Sequence, residues 1–244
     1  MKWALDHTTP LALAALRTSV GAPFLLAIAM FRGEKLPQNR QQWMAVWWIS
    51  LAITTVSSGF LVLGISRLSP GLAAMLSATM PLFTAIIAVL VLAELPGRRG
   101  YLGLLIGLFG AVCLAMPAFG SGNTTLGIVF SLISSISWAA GAVLNKRLPG
   151  ALEISPLMLV ALQITFSAVC LHLAVPFVED WSDTSMGWGL ALPLLYAGIP
   201  SLAVTFYLFA SVLRRAPAIQ GAAVAYLTDR KSTRLNSSHL VISY

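Results

Sequence analysis

Pro10-Leu11-Ala12-Leu13-Ala14-Ala15-Leu16-Arg17 returns 146 residues later as Pro156-Leu157-Met158-Leu159-Val160-Ala161-Leu162-Gln163. Between 10–31 and 156–177, eight of 22 positions are identical. Most identities are Leu or Ala, which any two apolar helices share. The ends carry more weight: Pro opens each copy, Phe closes it, and one polar residue sits at the same helical position. A second echo follows at nearly the same offset, Arg67-Leu68-Ser69-Pro70 against Arg215-Ala216-Pro217, each time between a long apolar run and the next. The chain therefore reads as two related halves.

Composition sets the environment of those halves. Of the 244 residues 58% are hydrophobic and 9% charged, and the mean hydropathy is +0.85. Soluble domains carry roughly 25% charged residues, so this chain reads as an all-α polytopic membrane protein. Seven spans are expected at about 10–31, 43–65, 71–92, 101–117, 126–144, 156–177 and 188–213, with an eighth beginning at Pro217. Each is apolar around its whole circumference, as helices in a bilayer are. Pro23, Pro81, Pro193 and Pro200 fall inside spans and predict kinks or breaks.

The loops orient the spans. Arg32, Lys35 and Arg40, then Arg98 and Arg99, then Lys146 and Arg147, then Arg214 and Arg215 occupy alternate loops. These nine basic residues face only Arg67 and Lys2 on the other side, which also collects Glu179, Asp180 and Asp183. The basic side is expected to be cytoplasmic, in the plasma (inner) membrane of the cell. The two copies of the repeat are five spans apart, and an odd step inverts the second copy. Inverted repeats are typical of secondary transporters, whose two opposed halves rock against each other. The formal charge of +7 lies in short loops rather than on one face, so the lipid bilayer is the expected partner and nucleic acid is not.

Three stretches resemble the EamA-like transporters of the drug/metabolite transporter superfamily. They are Pro10 to Arg17; Glu94-Leu95-Pro96 with the helix from Gly103 to Gly110; and Gly127 to Leu148 with Ser137-Trp138. The resemblance covers essentially 1–228. It implies two five-helix repeats, ten spans, cytoplasmic termini, and a permease or exporter that moves small metabolites, amino acids or drugs by alternating access. The repeats are expected at 1–120 and 121–228. Against the family pattern, Lys2-Trp3-Ala4-Leu5 resembles the tail of a first helix, and helices beyond Thr228 are missing. A truncated, non-functional fragment is thus an alternative reading. The segment 229–244 is expected to be artefactual, because Asp229 to His239 resembles a translated sequencing adapter.

Three polar or aromatic side chains inside spans are candidates for the solute pathway. Arg17 lies two turns inside its span, where a charge costs about 2.5–3.5 kcal/mol on insertion scales and needs a partner or water. It either faces a central cavity and binds a polar or anionic solute, or pairs between helices or snorkels to the headgroups. Gln163, its repeat mate, either joins the pathway or hydrogen-bonds between helices. Trp138 sits mid-span among Ser131, Ser134, Ser135 and Ser137, placed to line a pathway or to fill space. Glu94 beside Arg98 and Arg99 reads as a salt-bridged cytoplasmic loop.

Gly103, Gly107 and Gly110 form a small-residue face suited to close helix packing, including a homodimer interface. Cys113 and Cys170 read as buried free thiols, and His172 as a packed core histidine. No catalytic or metal-binding motif stands in the sequence, so neither an enzyme nor a cofactor is expected; a membrane-embedded enzyme is the weaker alternative.

Overall fold

The structure, a computed structural model, describes residues 7–77, 79–93, 102–103, 105–107, 109–110, 113, 122–181, 184 and 187–215. Within these residues the chain is helical and contains no strand. The helices are α1 (Pro10–Phe31), α2 (Arg40–Ile49), α3 (Ser57–Arg67), α4 (Pro70–Ser77), α5 (Met80–Leu92), α6 (Gly122–Arg147), α7 (Pro149–Glu153), α8 (Pro156–Val178), α9 (Trp188–Gly198) and α10 (Thr205–Arg215). Six stretches are long and apolar enough to cross a bilayer: Pro10–Phe31, Arg40–Arg67, Gly71–Leu92, Thr125–Arg147, Pro156–Val178 and Trp188–Val212. They coincide with six of the expected spans to within a few residues. The span expected at 101–117 falls largely outside the described residues, and the one starting at Pro217 wholly so, as does the segment 229–244.

The repeated helices α1 and α8 pack against each other along their length and run antiparallel. Pro opens both, where its missing N–H costs nothing. Thr9 gives α1 no side-chain cap; the end of α8 supplies one instead. Glu179 Oε2 accepts from the backbone N–H of Leu11 at 2.8 Å and of Ala12 at 3.3 Å. A carboxylate there satisfies two orphan donors and meets the positive end of the helix dipole. The other end is tied as well. Asn39 caps α2 by accepting from Gln42 N–H at 2.8 Å, and Gln42 Nε2 donates to Glu153 of α7 at 2.8 Å.

Two long helices are interrupted at matching places. Between α2 and α3 the backbone passes through a π-helical segment, Ser50–Val56. Between α9 and α10 it does so again at Ile199–Val204, 148–149 residues later. This is close to the offset of the sequence repeat. π segments widen the helix by one residue per turn and cluster at functional sites. Pro200 opens the second segment; no proline marks the first. The expected proline breaks divide further. Pro81 sits at the start of α5, where the third span breaks after α4, whereas Pro23 and Pro193 stay within continuous α-helix.

Glycine lets the π segments approach their neighbours. A Cβ at Gly141 of α6 would lie 2.7 Å from Ile53 N, and one at Gly21 of α1 would lie 2.8 Å from Gly198 O. The expected close packing at Gly103 and Gly110 is not found among the described residues, where nothing lies within 4 Å of a Cβ built there. Cys113 is exposed and Cys170 half-buried, so the expectation of buried thiols is corrected. In a membrane protein an apolar segment can turn its thiol toward lipid as readily as toward the core. Phe31, Leu90, Phe177 and Trp188 are similarly exposed.

These contacts separate two glycines that look alike in sequence. Gly141→Ala gains about 1 kcal/mol of helix propensity but drives a methyl into the Ile53 backbone. Overpacking of that kind costs about 1–3 kcal/mol, so the variant is expected to melt earlier in detergent, followed by size-exclusion of heated samples. Gly107→Ala, whose nearest neighbour is Leu82 Cδ1 at 3.8 Å, is expected to melt no earlier than the parent.

Candidate functional site

The two π segments face a common cavity of about 340 Å³. The first segment contributes Ile53, and α3 continues the wall with Ser57, Ser58 and Leu61. The second contributes Ser201 and Leu202, continued by Thr205, Phe206 and Phe209 of α10. Leu208 of α10, Arg17 of α1, Met80 of α5 and Trp138 of α6 complete the described lining. The cavity thus draws on both halves of the chain, at mid-depth of the spans.

Arg17 is 5% exposed, and its helix position is set by close contact between backbones: a Cβ at Gly198 would meet Arg17 O at 2.8 Å. Only glycine at 198 allows α9 to approach α1 beside the cation. Trp138 is packed against Phe209, ring centroids 4.6 Å apart and planes inclined at 44°. The pair forms an apolar wall across from the hydroxyls.

The serines around Trp138 hold that wall in place. Ser134 Oγ donates to Ser57 O at 2.8 Å, Ser137 Oγ to Ala52 O at 2.8 Å, and Ser135 Oγ to Ser131 O at 2.9 Å. Ser137 thereby reaches a carbonyl inside the π segment itself. Such bonds let α6 run beside an irregular helix without leaving its polar groups to lipid.

Of the three pathway candidates, Arg17 and Trp138 come together at the cavity. Gln163 does not line it. Its carbonyl accepts from Thr54 Oγ1 at 3.2 Å, and Thr54 also donates to Ser50 O at 2.7 Å. Its side chain is buried beside the first π segment. Glu94, Arg98 and Arg99 lie outside the described residues. His172 bonds Ala168 O through Nδ1 at 2.8 Å and stacks on Trp181 at 5.3 Å, as a packed histidine does. Arg67 lies over the ring of Phe130, its Cζ 5.2 Å from the centroid.

Sequence reading missed Phe209, Thr205 and Ser201, which sit in an ordinary-looking apolar span. The one signal there was Pro200. Nothing in the residues 50–56 announces a π segment. Among the described residues no group of three or more His, Cys, Asp or Glu side chains is placed to hold a metal ion.

A cavity assembled by both halves of a repeat is what comparison with known proteins can place. The model of the EamA-like transporter family matches residues 1–116 and 125–228. The chain belongs to the EamA-like transporter family. It is similar to the uncharacterized transporter YvbV of Bacillus subtilis (strain 168), with 25% identity over 226 residues, 93% of this chain and 73% of the relative. The WAT1-related protein At3g02690, chloroplastic, of Arabidopsis thaliana is 29% identical over 224 residues, covering 91% of this chain and 45% of the relative. The inner membrane transporter YedA of Escherichia coli (strain K12) is 34% identical over 149 residues, 59% of this chain and 46% of the relative. One solved crystal structure superposes with a TM-score of 0.76 at 19% identity, over 99% of this chain and 87% of that one. It shares the fold. This member of the EamA-like family is a multi-pass membrane transporter, and its bilayer and small-solute partners follow from the family.

Thiol chemistry reads out the cavity wall. With Cys113 and Cys170 replaced by alanine, Ser201→Cys is expected to react with a small water-soluble methanethiosulfonate. Ser134→Cys, whose parent side chain is fully buried, is expected to react at least roughly tenfold more slowly, since only accessible thiols react. Mass shift of the purified protein gives the ratio.

Proposed function

We propose that the cavity at Arg17 and Trp138 is the solute site of a secondary transporter working by alternating access. The observation that carries this reading is the cavity's position between the two π segments, one from each half of the repeat. A site at a repeat interface near mid-membrane, lined by broken helices, is the arrangement secondary transporters use. Rocking of the halves about the antiparallel α1–α8 contact would expose the site to one side and then the other.

Loop charge supports an orientation in which Arg32, Lys35, Arg40, Lys146 and Arg147 face the cytoplasm of a cell's plasma membrane. The cap of α1 by Glu179 would then lie outside. A charge is expensive in hydrocarbon, and Arg17 places its guanidinium in the wall of the cavity, where it can hold a solute. Trp138 and Phe209 would hold the apolar part of the solute.

Reconstitution into liposomes tests the reading. The protein is expected to take up at least one solute from a panel of amino acids, organic acids, amines and sugars. Arg17→Gln is expected to lower that uptake by roughly tenfold or more, the scale of one lost charged hydrogen bond, while Arg67→Gln, outside the cavity, leaves it unchanged. Folded, monodisperse protein that moves nothing across the whole panel would overturn the proposal.

A further inference from the structure

We propose that the solute of this cavity is a small organic monoanion: one carboxylate on a compact, flat apolar body, without an ammonium group. This rests on the cavity being the solute site.

The lining sets the charge. Among the described lining residues Arg17 is the ionisable one, and the other polar groups are the hydroxyls of Ser57, Ser58, Ser201 and Thr205. Guanidinium stays charged at any physiological pH, and its planar fork matches a carboxylate with two parallel bonds. Hydroxyls can donate to the same oxygens. No described carboxylate stands in the lining to receive an ammonium, so a zwitterion would bring a charge that the wall does not answer. A dianionic phosphate would call for a second cation.

The shape of the solute follows from the rest of the wall. Trp138 and Phe209, their rings inclined at 44° with centroids 4.6 Å apart, share the lining with Ile53, Leu61 and Leu202. A volume of about 340 Å³ is at the small end of the range of about 300–1,000 Å³ for ligand pockets.

The other half of the repeat carries no second charge at the matching position. Gln163 occupies the position of Arg17 in the second copy, two turns from the opposite end of the antiparallel pair. Its Nε2, together with Ser50 Oγ and Ser167 Oγ, is buried and has no hydrogen-bond partner among the described residues. These side chains are 1%, 1% and 0% exposed. Thr54 joins the cluster through its bonds to the Ser50 and Gln163 carbonyls. An amide N–H and two hydroxyls offer donors to an oxyanion, although the same hydroxyls can also accept. The oxyanion head is therefore assigned to Arg17, the charged group in the lining, while the Gln163 cluster lies outside the cavity.

A charge series on one ring system decides the matter. The full chain in lipid nanodiscs is equilibrated at neutral pH with radiolabelled benzoate, and unlabelled benzoate, phenylalanine, benzylammonium and phenyl phosphate compete. Saturable benzoate binding is expected, with the other three competing at least roughly tenfold more weakly, the scale of one unanswered charge. Arg17→Lys should weaken benzoate less than Arg17→Gln does. Because the parent protein alone ranks the series, a misfolded variant does not spoil the test.

The companion measurement is uptake of benzoate into liposomes, expected to slow by roughly tenfold in Arg17→Gln. If phenylalanine or benzylammonium binds as well as benzoate and depends on Arg17, the monoanion class is overturned while the solute site stands. If no solute of any charge binds or is taken up by folded protein, both fall.

Discussion

Inside a bilayer no water is at hand for backbone N–H and C=O groups, and each one left unmet costs several kcal/mol. Every departure from regular helix in this protein has to be answered from within. The two π segments depart most, and both are answered by neighbours that approach unusually closely. Ser137 donates to Ala52 O in the first. Gly141 lets α6 touch the Ile53 backbone, and Gly21 lets α1 reach the Gly198 carbonyl. The cavity exists because these helices are irregular, and the irregularity survives because glycine and serine stand opposite it.

The two halves of the repeat are alike in backbone and unlike in chemistry. Arg17 in one copy is Gln163 in the other; Gly21 corresponds to Ser167. The first pair gives one half a cation at the rim of a cavity, the second a closed cluster of neutral polar groups. A symmetric pair of arginines at the interface would repel and would double the cost of burying charge. A single charge in one copy and an amide in the other keep the pseudo-symmetry while making the two repeated helices chemically distinct.

Much of the architecture was legible before any coordinates. Six of the expected spans match helices to within a few residues, because an apolar run of spanning length has few alternatives in lipid. Arg17 and Trp138 stood out as a charge and an indole away from the membrane interfaces, and the fold brings both to one cavity. Gln163 stood out for the same reason as Arg17 yet turned away from the cavity. Phe209 and Thr205 did not stand out at all, since one more aromatic or hydroxyl in an apolar span carries no local mark. The small-residue face at Gly103 and Gly110 meets no described neighbour within this chain, because glycine spacing on one helix does not say which helix comes near.

The sequence by itself determined the environment, the spans and the duplication. These depend on how much apolar surface each segment carries and on an eight-residue pattern returning at a fixed offset. Only the tertiary structure decided where the helices widen, which glycines are contact points and which side chains share a cavity. Those outcomes depend on sub-ångström fit between backbones distant in the chain. Ser50–Val56 shows the limit: its residues suit an α-helix equally well, and it is the surface of α6 and α8 against which it packs that makes room for the extra residue.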